Sequence, residues 1–435
     1  SWRFENNRTL IFSLRDNVLW HDGVKFSAED VLFTYKLLQS KKLTTPYASE
    51  FKEVERVELM GENKIKVIYK KPYFKALSVW MMGILPKHLW ENEKNPMQSK
   101  LNKFAIGTGP YKMRKAFEVN KKIELVANKS YYMGEPKIKK QIFHYVGDSS
   151  TNFLMLKAKK LDIGGLTPLQ VNRQLNSSFK KSFTIYERAA NSYTYLGFNL
   201  RKAPFNNPKV REAINLAIDK QELIDILFFS HGKPCFGPFM PGTSVYPKDF
   251  KAKEYNLKRS IELLGELGYT KEHPLHFTIT TNADNPIRVN AVEIIQQQLL
   301  RAGVEVRLRV MEWQAFLNTV VMPHNFDAVV LGWGLGLIPD AYSIWHSDGD
   351  KKGGFNFVGY HNKEVDSLII QAESEIDPKK FAKIYQKIFK IIVKDNPYIF
   401  LYIPNSITAV NSKIKGVEPS VIGLQHNFIH WQIGN

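Results

Sequence analysis

Along the middle of the chain the apolar positions repeat first with a period of two, then near 3.6, and the alternation recurs. Residues 277–281 read as a strand, 287–302 carry one apolar helical face closed by Gly303, and 304–310 alternate again. Residues 313–321 then read as a helix and 327–333 as a third strand. The order β-α-β-α-β predicts a parallel sheet with helices on its faces. In such a sheet a ligand lies beyond the carboxyl ends of the strands. Those ends bear Asn282 and Asn285, then Glu312 and Trp313, then Trp333, Gly334 and Gly336. Rings cover apolar groups while amides and bare backbone pair with N–H and C=O, so this floor suits a solute carrying peptide groups.

The flanking segments have a different texture. The first hundred residues read as α+β, with a partial strand at 10–14 and a strand pair within 51–69. Between them a turn at His21-Asp22-Gly23 leads to Ser27, whose hydroxyl is placed to cap a helix with Asp30 answering three residues later. Residues 107–198 are mixed again, with strands near 123–127 and 140–145 and a helix over 150–159, and no low-complexity linker separates them from what precedes. From residue 203 helices dominate. Asn207 caps one that begins at Pro208 and buries Val210, Ala213, Ile214, Ala217 and Ile218. Asp219 and Glu222 have the spacing of a second capping box, and a third helix runs from Asn256 to a stop at Gly268.

A chain of 435 residues exceeds what one core organises, so two or three packed units are expected. No uncharged apolar run reaches the roughly 20 residues that span a bilayer. The opening SWRFENN is already strand-like, which places any targeting segment outside this sequence. Lysine and arginine number 61 against 42 acids, a net charge of +19, yet the positive charges are dispersed and form no polybasic arm. That reads as a basic solvated surface rather than a nucleic-acid interface. The single cysteine, Cys235, has no partner for a disulfide or a metal pair and reads as a buried thiol.

Catalytic signatures are absent. The chain contains no Walker A string, HExxH or GxSxG, and Gly332-Trp333-Gly334-Leu335-Gly336 lacks the dinucleotide spacing, with Pro339 where a helix should continue. Among eleven histidines the closest pairs, His273 with His276 and His426 with His430, lack a completing carboxylate or thiol. The expectation is a binding protein with no catalytic residue, metal or cofactor.

WHDGVKFSAEDVLFTYKLL, residues 20–38, resembles a segment of the family 5, cluster C extracellular solute-binding proteins, the group of oligopeptide, dipeptide and nickel-chelate receptors. Further matches follow in order: Gly107-Thr108-Gly109-Pro110-Tyr111, Asn128 with Tyr131 and Tyr132, residues 156–163, and Leu196-Gly197-Phe198-Asn199. Val210-Arg211-Glu212-Ala213 and Gly332-Trp333 with Pro339-Asp340 complete the series. The resemblance covers essentially the whole chain. It implies an α/β, periplasmic-binding-protein-like fold of cluster C, type II: two lobes around a ligand cleft with a two-crossing hinge.

Mapped onto this sequence, lobe I comprises an outer subdomain, 1–104, and a core subdomain, 105–193 with 404–435; lobe II is 194–403. The crossings fall near 195–199 and 401–405. Family members begin several tens of residues earlier, so part of lobe I is expected to be missing. The resemblance implies the substrate-binding subunit of an ABC importer, periplasmic or lipid-anchored and monomeric, handing peptides to permease subunits without chemistry.

The cleft residues it implies, together with the strand-end reading, are Trp333, Gly334, Gly336, Asn282, Asn285, Trp313, Asp340 and Asn356. Two departures bear on the ligand. Where peptide receptors carry an acid shortly after the tryptophan, none precedes Asp340, and Asn282 stands where dipeptide receptors carry an arginine. A buried terminal charge without a counter-charge is costly, so longer or blocked peptides are expected over free dipeptides. The alternative is a nickel or metallophore receptor recruiting His346 or His361.

Overall fold

The computed structural model describes residues 1–40, 42–43, 50–118, 122–351 and 353–434. Helix α1 (Ala28–Gln39) starts as its local sequence requires. The Ser27 hydroxyl accepts from the first turn and the Asp30 carboxylate accepts from the Ser27 N–H at 2.9 Å. Asp30 is buried and also accepts from Trp20 Nε1 and the Lys87 amide, so one carboxylate ties the helix to an earlier turn and a later loop. Strands Trp2–Asn6, Thr9–Ser13, Lys64–Tyr69 and Val54–Leu59 lie beside it as an antiparallel sheet in that spatial order. Leu10, Val31, Ile65 and Val67 fill the space between sheet and helix.

Eight strands form the large curled sheet that organises the rest. In chain order they are β1 (Ile163–Leu166), β2 (Phe183–Ala189), β3 (Ser192–Phe198), β4 (Gly232–Pro234), β5 (Leu275–Asn282), β6 (Val304–Met311), β7 (Ala328–Gly334) and β8 (Tyr398–Asn411). The spatial order is β4-β8-β3-β7-β5-β6, with β1 and β2 joined to the far half of β8. β5 is parallel to β6 and to β7, which is the predicted β-α-β-α-β unit. The sheet is nevertheless mixed, because β3 pairs antiparallel with both β7 and β8.

Helices α2 (Pro208–Ala217), α3 (Lys220–Phe228), α4 (Leu257–Glu266) and α5 (Pro286–Arg301) cover one face of this sheet. There Val210, Ile214, Leu264 and Ile295 pack on Leu196, Phe277 and Val330. The other face carries Tyr193, Tyr195 and Phe400 against Trp345 and against Tyr385 and Phe389 of α6 (Pro378–Asp395). Asn207, Asn256 and Asn285 cap their helices as spaced.

The expected box at Asp219 does not close. Asp219 accepts from the amides of Gln221 and Glu222, but the Glu222 carboxylate turns to Gln298 and Arg301 of α5. Gln298 Oε1 accepts the Asp219 N–H instead. Packing of α3 against α5 supplied a better partner than the local turn.

Two adjacent strands carry the chain between the lobes. Residues 398–404 of β8 pair with β3 and β4, whereas 405–411 pair with β1 and β2. Ala190 and Asn191 link β2 to β3. Residues 195–198, near which one crossing is expected, lie in the large sheet, where β3 pairs along its length with β7. Beyond β8 the chain returns to the first lobe: Phe428 stacks on Tyr111 and Gln432 accepts from Lys137 Nζ.

On one flank the two lobes touch. Phe74 stacks on Phe381 and its N–H donates to the Glu373 carbonyl, Lys71 pairs with the Glu373 carboxylate at 3.2 Å, and Lys75 pairs with Asp340 at 2.6 Å.

Candidate ligand cleft

The carboxyl ends of β5 and β7 open toward the crossing strands. Thr194 of β3 pairs with Gly332 on one side and Tyr402 on the other, so all three share the face that α5 covers. Asn285 caps α5, accepting the Arg288 N–H at 3.1 Å. Arg288, the third residue of that helix, folds its guanidinium back beneath β7. Its Nη1 donates to Asn282 Oδ1 at 3.0 Å. Its Nη2 lies so near Gly332 that a Cβ there would meet it at 2.9 Å and the Tyr193 carbonyl at 3.0 Å. Glycine at 332 is what lets the arginine enter.

Between these groups lies a cavity of about 250 Å³, walled by Ser192, Thr194, Asn285, Arg288, Trp333 and Tyr402 among others, with Gly334 at its edge. Burial pushes the Arg288 pKa down, opposed weakly by Tyr402 and Tyr195. Among the described residues no carboxylate lies within 4 Å of it, and its Nε and the Tyr402 hydroxyl are buried without a hydrogen-bond partner.

The sequence-predicted residues distribute unevenly around this cavity. Trp333 and Asn285 line it, as does Gly334. The Trp333 ring turns to the other face of the sheet, stacked on Phe357 at 5.6 Å and Tyr195 at 6.3 Å, and stays partly exposed. Gly336 lies just past β7, exposed, beside Leu335, whose N–H donates to the Asn191 carbonyl and whose carbonyl accepts from the Asn191 side-chain amide. Asn282 is buried and acts on the cavity through Arg288.

Three lie apart from the wall. Trp313 opens the short helix Trp313–Phe316 and leans on Phe316, its N–H given to Asp284. Asp340 carries the ion pair to Lys75 in the other lobe. Asn356 is fully buried and clips its own loop, accepting the Tyr360 N–H and donating to the Tyr360 and His346 carbonyls.

Arg288, Thr194 and Tyr402 were not among the predicted site residues. For Arg288 a usable signal existed: the Asn285-Pro286 start fixes it in the first helical turn, beside the strand ends. Thr194 and Tyr402 come from strands whose place in the sheet no local pattern announces.

His346 accepts the Asp348 N–H and stacks on Tyr342, and His361 pairs with Asp350. Among the described residues no group of three or more His, Cys, Asp or Glu side chains is arranged to hold a metal ion, and no helix is long and apolar enough to cross a membrane. Cys235 is buried and free, and burial pushes its thiol up to about 11.

The family model described as bacterial extracellular solute-binding proteins, family 5 Middle, matches residues 1–355. The oligopeptide-binding protein AppA of Bacillus subtilis is 31% identical over 428 residues, which cover 93% of this chain and 77% of that protein. Its structure in complex with a nonapeptide has a TM-score of 0.81 at 29% identity, covering 100% of this chain and 89% of that one. The nickel-binding protein NikA of Staphylococcus aureus is 25% identical over 425 residues, 98% of this chain and 83% of that protein. NikZ of Campylobacter jejuni, solved in complex with Ni(L-His), has a TM-score of 0.84 at 28% identity, covering 99% of this chain and 90% of that one. AppA and NikA are described as binding proteins, and the structures of AppA and NikZ share the two-lobed α/β fold expected from the resemblance. From residue 1 to 355, and in the sheet that β8 carries from one lobe to the other, this chain belongs to the family 5 bacterial extracellular solute-binding proteins.

Proposed function

We propose that this protein is the substrate-binding subunit of an ABC importer that closes two lobes around a peptide, with an oligopeptide as the preferred ligand. The observation that carries the reading is the cavity at the carboxyl ends of β5 and β7, set beside the two crossing strands. A ligand there favours closure through contacts that are better in the closed arrangement than in the open one. The lobes are assigned as 1–190 with 405–434, and 191–404, from the pairing of β8.

Around the cleft Asn285 offers an amide, Gly334 and Gly336 open backbone for an extended peptide, and the partly exposed Trp333 ring aromatic cover at the strand end on the opposite face of the sheet. Asn282 positions Arg288, and Asp340 works at the lobe contact rather than on the ligand. Trp313 and Asn356 support the surrounding loops. The closed form is presented as a monomer to permease subunits outside the cytoplasmic membrane. Similarity to AppA supports the peptide reading.

Native mass spectrometry of tag-free protein tests it: a co-purified peptide mass is expected, and failure of a mixed oligopeptide library to bind overturns it. NikA and NikZ among the relatives make a nickel chelate the second reading. Elemental analysis of protein purified without chelator separates the two, since stoichiometric nickel would select the chelate.

A further inference from the structure

We infer that the cavity beneath Gly332 is an anion subsite in which the Arg288 guanidinium takes a carboxylate of the bound solute. The inference rests on the receptor reading and names the chemistry of its ligand. Of the residues on the cavity wall, Arg288 alone is charged. The partly buried guanidinium has no carboxylate within 4 Å among the described residues, and a solute that covers it withdraws an unpaired charge from water unless it brings a counter-charge.

Arg288 is also held in place. Nη1 is anchored on Asn282, and the helix whose third residue it is begins on the Asn285 cap. Of the three guanidinium nitrogens only Nη1 makes a hydrogen bond among the described residues. A planar fork with unused donors matches a carboxylate. The first turn of α5 adds the positive end of a 16-residue helix to the same place.

Recognition is one-sided. The cavity wall bears no acid, and Asp340, the acid nearest in sequence to Trp333 on its carboxyl side, is spent on Lys75. The fitting solute therefore presents a carboxylate here and needs no free ammonium in this cavity. The C-terminus of a peptide and the carboxylate of an amino-acid metal chelate share that chemistry.

The test uses two equimolar libraries of N-acetylated pentapeptides, one with free C-terminal acids and one with C-terminal amides, plus nickel chloride with L-histidine as a third arm. Binding is measured by native mass spectrometry and calorimetry on the wild-type chain, Arg288→Gln and Arg288→Lys, each checked by thermal melting. Wild type is expected to favour acids over amides by ~10- to 100-fold. Arg288→Gln should erase that preference, and Arg288→Lys should keep part of it. If the nickel–histidine arm alone binds and is lost in Arg288→Gln, the carboxylate comes from a chelate.

Equal wild-type affinity for acids and amides overturns the anion subsite while the receptor reading stands, and this outcome needs no folded variant. An equal loss for both libraries in Arg288→Gln also overturns it, assigning the arginine to holding Asn282. If wild type binds nothing in any arm, the receptor reading itself falls.

Discussion

At the scale of single residues, the cleft depends on what Gly332 omits. A methyl at this position would press on Arg288 Nη2 and on the Tyr193 carbonyl, and the carbonyl belongs to a paired strand that cannot retreat. Gly332→Ala should cost about 1–3 kcal/mol of stability by overpacking and weaken ligand binding by displacing the guanidinium, read by thermal melting and calorimetry. Gly237→Ala is the contrast. Its Cβ would strike the Phe389 ring at 2.3 Å, away from the cavity, so a lower melting temperature with unchanged affinity in the surviving fold is expected. Trp333→Ala removes aromatic cover from a partly exposed ring and should cost ~10-fold or more in affinity. Unchanged calorimetric affinity would remove Trp333 from the ligand's surroundings.

Among the elements, helix starts illustrate when a local signal governs. Ser27 and Asp30 meet as spaced because the other partners of the Asp30 carboxylate, Trp20 Nε1 and the Lys87 amide, bind it without drawing it from the Ser27 N–H. Ser27→Ala should therefore lower stability by about 1 kcal/mol. Asp219 and Glu222 have the same spacing, yet α5 lies across α3 and takes the Glu222 side chain through Gln298 and Arg301. A double-mutant cycle between Glu222→Ala and Gln298→Ala should give a coupling of roughly 0.5–3 kcal/mol. A cycle with no coupling would return Glu222 to a purely local role.

Across the whole molecule, the two lobes touch through contacts remote from the cavity. Lys75 sits between Asp340 of the other lobe and Glu50 of its own, its side chain 15% exposed, while Lys52 and Lys71 flank Glu373. Burial alone would lower the Lys75 pKa, but Asp340 and Glu50 outweigh it and raise the value above the ordinary 10.5. For a raised basic group the stabilisation is fully present below the ordinary value and is lost as pH climbs through the raised one. The lobe contact should thus be constant through neutral pH and fail only above 10.5. Lys75→Met should shift the ligand-free chain toward an open form, enlarging its radius of gyration in small-angle scattering and weakening binding several-fold through a lower closed population. An unchanged radius and affinity would show that this flank does not govern closure.

Sequence by itself determined the local grammar: the Ser27, Asn207 and Asn256 caps, the strand-helix alternation of residues 277–333, and the small residues around Trp333 at a strand end. These are legible because burial repeats with the period of the backbone, and a cap needs only neighbours within one turn. Tertiary structure alone decided that β3 enters the sheet between β7 and β8. It also placed Tyr402 and Thr194 opposite Arg288 and gave Asp340 to Lys75, 265 positions away in the chain. Periodicity states which side of a residue is buried, not what it is buried against. Partners hundreds of positions apart are selected by the shape and charge that meet once the layers have packed.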